Sequence, residues 1–133
     1  MIRVTGFNHV SVLVSDTARA VAFYRDVLGL PLSPDRPPLA FPGAWLELGQ
    51  GLQIHLLELE GAGRDARDGH GGRDYHLALD VADLDAASAA LQAAGIGFTL
   101  SRSGRRALFC RDPDGNAIEL VEADWTMIPE PAQ

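Results

Sequence analysis

Four side chains able to bind a metal occupy matching positions in two similar stretches of the sequence. His9 and His76 each begin an alternating apolar run and lie 67 positions apart, whereas His55 and Glu119 lie 64 positions apart in two later runs. Neutral imidazole and carboxylate are ligands that zinc, iron(II), manganese, nickel and cobalt accept. A single strand histidine is more often a structural residue, but four groups at matched positions favour a metal site.

The alternation of apolar and polar residues predicts which face of a sheet these side chains occupy. In the stretch 10–14 every second residue is valine, which places His9 on the opposite face of that strand. The same alternation separates His76, His55 and Glu119 from their apolar neighbours. All four groups are therefore expected on the face of a sheet that no helix covers.

The elements that carry these residues follow the same order in each half of the chain. A strand leads into a helix, which Ser15 or Asp16 caps in the first half and Asp83 in the second, and which Gly29 or Gly95 ends. The predicted strands are 7–14, 30–33, 44–48 and 52–59 in the first half, and 74–81, 97–101, 106–110 and 116–122 in the second. The pattern βαβββ is thus predicted twice.

The length of 133 residues suits one domain, here 1–133. Within it we expect module one at about 5–60, a glycine-rich linker at 61–73, module two at about 74–123 and a C-terminal tail at 124–133. The linker is long enough to serve as a lid over a site.

Composition disfavours several classes of function. Eighteen acidic residues against eleven basic ones give a formal charge of −7, which disfavours a nucleic-acid or anionic-membrane surface. No apolar run is long enough to span a membrane, and the first residues lack the pattern of a secretory signal. The single cysteine, Cys110, is consistent with a reducing, cytoplasmic location.

Longer motifs around the candidate ligands resemble those of the vicinal oxygen chelate superfamily, the group of glyoxalase I, bleomycin-resistance proteins and extradiol dioxygenases. The motifs lie at 7–10, 23–30, 75–78 and 112–119, within a resemblance that covers residues 5 to 123. The resemblance implies an α+β fold in which two tandem βαβββ modules form a curled, incomplete eight-stranded barrel around a metal site. It also implies the strand order 1-4-3-2 within each module.

The resemblance places the metal ligands at His9, His55, His76 and Glu119 and implies a divalent cofactor: zinc, nickel, manganese or iron(II). The strand order would set His9 opposite His55, and His76 opposite Glu119, on adjacent strands. Glyoxalase I has a carboxylate at the position of His55, and Gln53 on the same face is an alternative ligand. The two pairs would combine within one chain or across a dimer interface, and a homodimer is expected.

The function that the resemblance implies is that of a metal-dependent lyase or isomerase. Such an enzyme stabilises the enediolate of a small substrate with adjacent oxygens, and Glu119 is the candidate for moving the proton. Two alternatives remain open, namely a non-haem iron(II) extradiol-type dioxygenase and a metal-free protein that sequesters a small molecule. The expected partners are a small-molecule substrate and a second copy of the chain, with no nucleic acid and no membrane.

Three further features have two interpretations each. The stretch 101–106 holds three arginines, which suit a carboxylate or phosphate, although a solvated turn is favoured. His70 in the linker could close over a ligand, although exposure to solvent is the simpler interpretation. Trp45 could line a substrate wall or fill the core.

Overall fold

The computed structural model describes residues 1–123, so the predicted tail at 124–133 lies outside the described residues. The fold is α+β, as expected, with two sheets and few helices. The strands are β1 (His9–Val14), β2 (Gly43–Gly49), β3 (Leu52–Glu58), β4 (His76–Val81), β5 (Phe98–Leu100), β6 (Ala107–Arg111) and β7 (Ala117–Glu122). The helices are α1 (Thr17–Val21), which continues as a π-helical turn over Ala22–Val27, and α2 (Leu84–Ala93). No helix within these residues is both long and apolar enough to cross a membrane.

The chain packs as two compact units. The first comprises Met1–Ala66 together with Asp112–Asn116, and the second comprises Arg67–Arg111 and the segment that begins at Ala117. The connection between β6 and β7 therefore belongs to the first unit, although both of its flanking strands belong to the second.

The first unit contains a three-stranded sheet with the order β1-β3-β2. Strand β1 runs parallel to β3, and β2 runs antiparallel to it. The sequence predicts a further strand at 30–33, but only an isolated bridge between Leu32 and Leu46 forms there. Pro31 has a fixed φ and no backbone N–H, so this stretch cannot continue a regular ladder. The described residues therefore contain seven strands and not the expected eight.

The second unit contains a four-stranded sheet with the order β4-β7-β6-β5. Strand β4 runs parallel to β7, and the other two pairings are antiparallel. This is the 1-4-3-2 order that the resemblance implies. Over the described residues, strand pairing gives two sheets of three and four strands and not the eight-stranded barrel that the resemblance implies.

The ends of the helices are those that the sequence predicts. The side chains of Asp16 and Asp83 each accept a hydrogen bond from the backbone N–H three residues further on, at 3.0 Å. Asp16 is therefore the cap of α1. Gly29 and Gly95 follow the helices with φ of 76° and 72°, a left-handed conformation that glycine adopts without strain.

The π-helical turn after α1 is a feature that the sequence does not predict. The N–H of Leu28 donates to the carbonyl of Phe23, five residues earlier, at 3.0 Å. Phe23 and Tyr24 are buried in this turn, and the Tyr24 hydroxyl donates to Asp112 at 2.7 Å. The turn thereby connects the helix to segment 112–116 of the same unit.

The buried side of β1 is the side that the alternation predicts. Val12 and Val14 are buried, whereas His9 on the other face is exposed. In β3 and β7 both faces are buried, since His55 and Glu119 are enclosed as well as their aliphatic neighbours. The candidate ligands thus lie on the faces opposite the aliphatic cores.

Candidate metal centre

In the first unit, His9 and His55 form a stacked pair on one face of the sheet. Their ring centroids are 4.0 Å apart and their planes are inclined by 19°. Trp45 covers the other face of the His55 ring, at 4.0 Å between centroids and 2° between planes. His55 is therefore held between two rings, and Trp45 lies beside a candidate ligand.

The register of β1 and β3 shifts the expected partners by two residues. Gln53 lies directly opposite His9, and Ser11 lies opposite His55. The direct opposition of His9 and His55 that the resemblance implies is therefore wrong. The two histidines are diagonal neighbours on one face, a separation that their rings are large enough to bridge.

Gln53 determines which ring nitrogen of His55 carries the hydrogen. The Gln53 amide nitrogen donates to Oε1 of Glu47 at 2.9 Å, which leaves Oε1 of Gln53 facing Nε2 of His55, also at 2.9 Å. Because Oε1 of Gln53 can only accept, Nε2 of His55 donates and Nδ1 keeps its lone pair. Glu47 is not among the site residues that the sequence predicts, although its position two residues after Trp45 places both on one strand face.

The surroundings of His55 favour the neutral ring. Burial lowers the pKa of His55 below the usual imidazole value, and the nearby His9 lowers it further. Hydrogen bonds from Ser33 and Gln53 lower the pKa of Glu47, so that carboxylate remains ionised. A neutral imidazole with a fixed tautomer is the form of histidine that binds metals.

In the second unit, His76 and Glu119 form the other pair. Nε2 of His76 lies 3.2 Å from Oε2 of Glu119, and Nδ1 lies 2.8 Å from the carbonyl oxygen of Asp74. A carbonyl only accepts, so Nδ1 carries the hydrogen, and Nε2 of the neutral ring presents a lone pair to a carboxylate that also presents lone pairs. A cation beside both atoms, or a proton shared between them, makes this contact favourable. Ala117, and not Glu119, lies directly opposite His76, so this pair is diagonal too and its expected direct opposition is wrong.

An ion-pair cluster holds the residue whose carbonyl oxygen contacts His76. The carboxylate of Asp74 contacts Arg111 at 2.7 Å and Arg67 at 3.0 Å. The hydrogen bond from Arg111, with a smaller contribution from Arg67, lowers the pKa of Asp74. The ionised Asp74 thereby fixes the backbone whose carbonyl receives the Nδ1–H of His76, a kind of support common behind metal-binding histidines.

Phe109 packs edge-on against two histidines of the second unit. Its ring centroid lies 5.1 Å from that of His76 and 5.0 Å from that of His70. Nδ1 of His70 lies 2.6 Å from the hydroxyl of Thr99, so His70 contacts the sheet rather than solvent alone. Phe109 lies opposite Glu119, a placement that depends on cross-strand register and that alternation within one strand cannot give.

A cavity of about 440 Å³ opens beside the second pair. Its lining includes His70, Arg73, His76, Arg102, Arg105 and Glu119. Arg106, from the same hairpin as Arg102 and Arg105, instead pairs with Glu122 at 2.9 Å. Residues 102–106 are exposed, as the solvated turn that the sequence favours for 101–106 predicts, and Arg102 and Arg105 also line the cavity.

The four predicted ligands come together as two pairs. His9 lies against His55 in the first unit, and His76 lies against Glu119 in the second. Over residues 1–123, no three His, Cys, Asp or Glu side chains are grouped so as to hold one ion. Each pair supplies two side chains whose donor atoms suit a divalent cation.

Comparison with known proteins places the chain in a family. Residues 6–120 match the Glyoxalase/Bleomycin resistance protein/Dioxygenase superfamily, and the chain belongs to that superfamily. The motifs at 7–10 and 112–119, which contain the candidate ligands His9 and Glu119, both lie within the matched region.

Three of the matching proteins are similar to this chain over most of its length. The chain is 33% identical over 131 residues to Glyoxylase I 4 of Arabidopsis thaliana, covering 92% of this chain and 74% of the relative. It is 31% identical over 121 residues to lactoylglutathione lyase of Haemophilus influenzae, covering 86% and 90% respectively. A glyoxylase/bleomycin resistance protein/dioxygenase domain from Frankia superposes with a TM-score of 0.71 at 28% identity, covering 92% and 100%.

Proposed function

We propose that this protein is a metal-dependent enzyme of the glyoxalase I type, a lyase or isomerase acting on a small molecule with adjacent oxygens. His9, His55, His76 and Glu119 hold one divalent ion, which is zinc, nickel, manganese or iron(II). The family membership, the chemistry of the two ligand pairs and the cavity beside Glu119 support this proposal.

The observation that carries the proposal is the contact between His76 and Glu119. With Nδ1–H of His76 donated to Asp74, a neutral ring turns a lone pair toward the carboxylate 3.2 Å away. Glu119 is only 7% exposed, and a buried carboxylate without a compensating charge is costly. A divalent cation beside both atoms would accept their lone pairs and balance the charge.

The pair in the first unit fits the same cation chemistry. His55 favours the neutral form, with its ring fixed by Gln53 and its Nδ1 lone pair available. In this proposal His9 and His55 add two neutral nitrogen ligands to the nitrogen and oxygen of the other pair. We propose further that the pairs meet in a homodimer of this chain, the arrangement that is common in the family.

Glu119 has the central chemical role in this proposal. A bound divalent metal would polarise the two adjacent oxygens of the substrate as a Lewis acid. Glu119 removes the proton from the carbon beside the carbonyl and returns it to the neighbouring carbon. Among residues 1–123 it is the only carboxylate that lines the cavity, and its burial limits exchange of that proton with water.

The name of one relative indicates which substrate to test first. The Haemophilus influenzae relative is a lactoylglutathione lyase, so lactoylglutathione and the products of its cleavage are the first compounds to assay. Protein loaded separately with nickel, zinc, manganese and iron(II) covers the metals that the ligand set accepts.

Replacing Glu119 by glutamine tests the proposed role. Glu119→Gln keeps the side-chain shape but removes the group that carries the proton, so we expect turnover to fall about 100-fold or more. Glu60→Gln, at an exposed glutamate outside the cavity, should leave turnover unchanged. Circular dichroism checks that both variants fold, and unchanged turnover in Glu119→Gln would remove this residue from the mechanism.

A further inference from the structure

The arginines of the second unit fall into two groups. Arg67, Arg106 and Arg111 each pair with a carboxylate. The guanidinium groups of the other three make no ion pair or side-chain hydrogen bond with any residue in the described range 1–123, and those three line the cavity beside Glu119: Arg73, Arg102 and Arg105. Unpaired arginines thus gather at one place in the unit.

The charge of this cavity is opposite to that of the chain. The protein carries a formal charge of −7, but three guanidinium groups and one carboxylate line the cavity. The nearby Asp74 does not offset these arginines, because Arg67 and Arg111 already pair with it. A concave, positively charged site focuses its field and attracts anions even on an acidic protein.

The hairpin that carries Arg102 and Arg105 is organised by its own serines. The hydroxyls of Ser101 and Ser103 lie 2.8 Å apart, and the Ser101 hydroxyl accepts the N–H of Ser103 at 3.3 Å. The Ser103 hydroxyl accepts the N–H of Arg105 at 3.4 Å. Gly104 completes the turn with φ of 82°, a conformation that other residues rarely adopt. Both serines also line the cavity, so they add hydroxyl groups to the guanidinium donors.

We propose that Arg73, Arg102 and Arg105 bind an anionic group of the substrate, a carboxylate or a phosphate-type oxyanion. The planar guanidinium fork matches both groups, and a cavity of about 440 Å³ accommodates a small organic anion. Bound there, the anion directs the rest of the molecule toward His76 and Glu119. This orienting role rests on the proposed function, whereas anion binding by the three arginines does not.

Nuclear magnetic resonance titrations with simple anions test the proposal. Metal-free full-length protein is titrated with inorganic phosphate and with sodium acetate at constant ionic strength, and sodium chloride serves as the reference salt. We expect saturable shifts of the backbone amides at 101–105 and at Arg73 with phosphate, with acetate or with both. Binding of phosphate alone indicates a tetrahedral oxyanion, and binding of acetate alone indicates a carboxylate.

Variants of the hairpin provide the control. The double variant Arg102→Gln/Arg105→Gln should weaken anion binding about tenfold or more, because charge-assisted hydrogen bonds are lost. Arg106→Gln removes the same charge from the same hairpin but outside the cavity, so it should leave anion affinity unchanged. Thermal melting curves check the fold of each variant. The absence of saturable shifts with either anion, or equal affinity in the double variant, would overturn the proposal.

The same samples separate this inference from the proposed function. Anion binding without metal binding would contradict the proposed metal centre and leave the arginine site intact. Metal binding with no response to phosphate or acetate would contradict the arginine site alone.

Discussion

His55 shows how the neighbours of one residue prepare it to bind a cation. Its ring lies between His9 and Trp45, and its Nε2–H is donated to Gln53. A positive charge on His55 is unfavourable, because burial and the neighbouring His9 both lower the pKa of its ring. The ring is therefore fixed, neutral and left with one free lone pair, as a metal ligand needs to be.

We predict that His55 titrates below the usual imidazole pKa in metal-free protein. As the pH falls, His55 is therefore protonated at a higher pH in the unfolded chain than in the folded protein. The free energy of unfolding consequently decreases as the pH falls from the usual imidazole pKa to the pKa of the folded state. Trp45→Ala exposes the ring and should move the pKa of His55 upward. Titration followed by nuclear magnetic resonance measures both proteins. A pKa of His55 at or above the usual value would contradict the prediction.

For single residues, the sequence predicts the strand face of a side chain better than its partner on the neighbouring strand. Alternation correctly places His9 and Glu119 opposite the aliphatic core, because it depends only on residues adjacent in the chain. The contacts of Glu47 and Phe109 are not predicted, since they depend on the register between strands. The same register explains why His9 faces Gln53 and not His55.

Among the elements, the turn at 112–116 is the clearest case of sequence determining local structure. The Asp-Pro-Asp-Gly stretch predicts a turn, and the N–H of Gly115 donates to the carbonyl of Asp112 at 3.0 Å. The carboxylate of Asp114 accepts the backbone N–H and the hydroxyl of Ser15 at 3.1 and 2.6 Å. The turn is therefore anchored to the end of β1 within the first unit.

Two glycines near this turn allow a matched comparison. Gly61 and Gly63 have φ of 82° and 83°, so alanine is strained equally at both. A Cβ at Gly63 would lie 2.7 Å from the backbone oxygen of Asp114, whereas at Gly61 the nearest atoms belong to the flexible side chain of Arg64. We expect Gly61→Ala to lower the free energy of unfolding by about 1 kcal/mol and Gly63→Ala by about 2–3 kcal/mol. Urea denaturation measures both, and equal losses would show that the turn does not pack closely on Gly63.

The predicted strand at 30–33 shows that the sequence pattern alone can predict a strand where only an isolated bridge forms. Its composition suits a strand, but Pro31 allows only the single bridge at Leu32. The π-helical turn at Ala22–Val27 likewise has no signature in the spacing of apolar residues, which fits an ordinary helix. Both differences arise from backbone hydrogen bonding, which apolar periodicity does not report.

For the whole molecule, the repeated order of elements was the most informative sequence feature. It predicts two pairs of candidate ligands at equivalent positions, and the structure brings the two members of each pair into contact, one pair in each unit. Net charge was less informative, since a formal charge of −7 conceals the local cluster of Arg73, Arg102 and Arg105. Global composition averages over surfaces, whereas a binding site depends on the few side chains that line it.

The content of divalent metal in purified protein tests the central proposal most directly. The protein is incubated with zinc, nickel, manganese or iron(II), passed through a desalting column and analysed by mass spectrometry for metal per chain. We expect about one ion per chain in the wild type, and loss of the ion both in His9→Ala/His55→Ala and in His76→Ala/Glu119→Gln. Wild-type protein with less than about a tenth of an ion per chain, or either double variant with full metal content, would contradict a shared four-ligand centre.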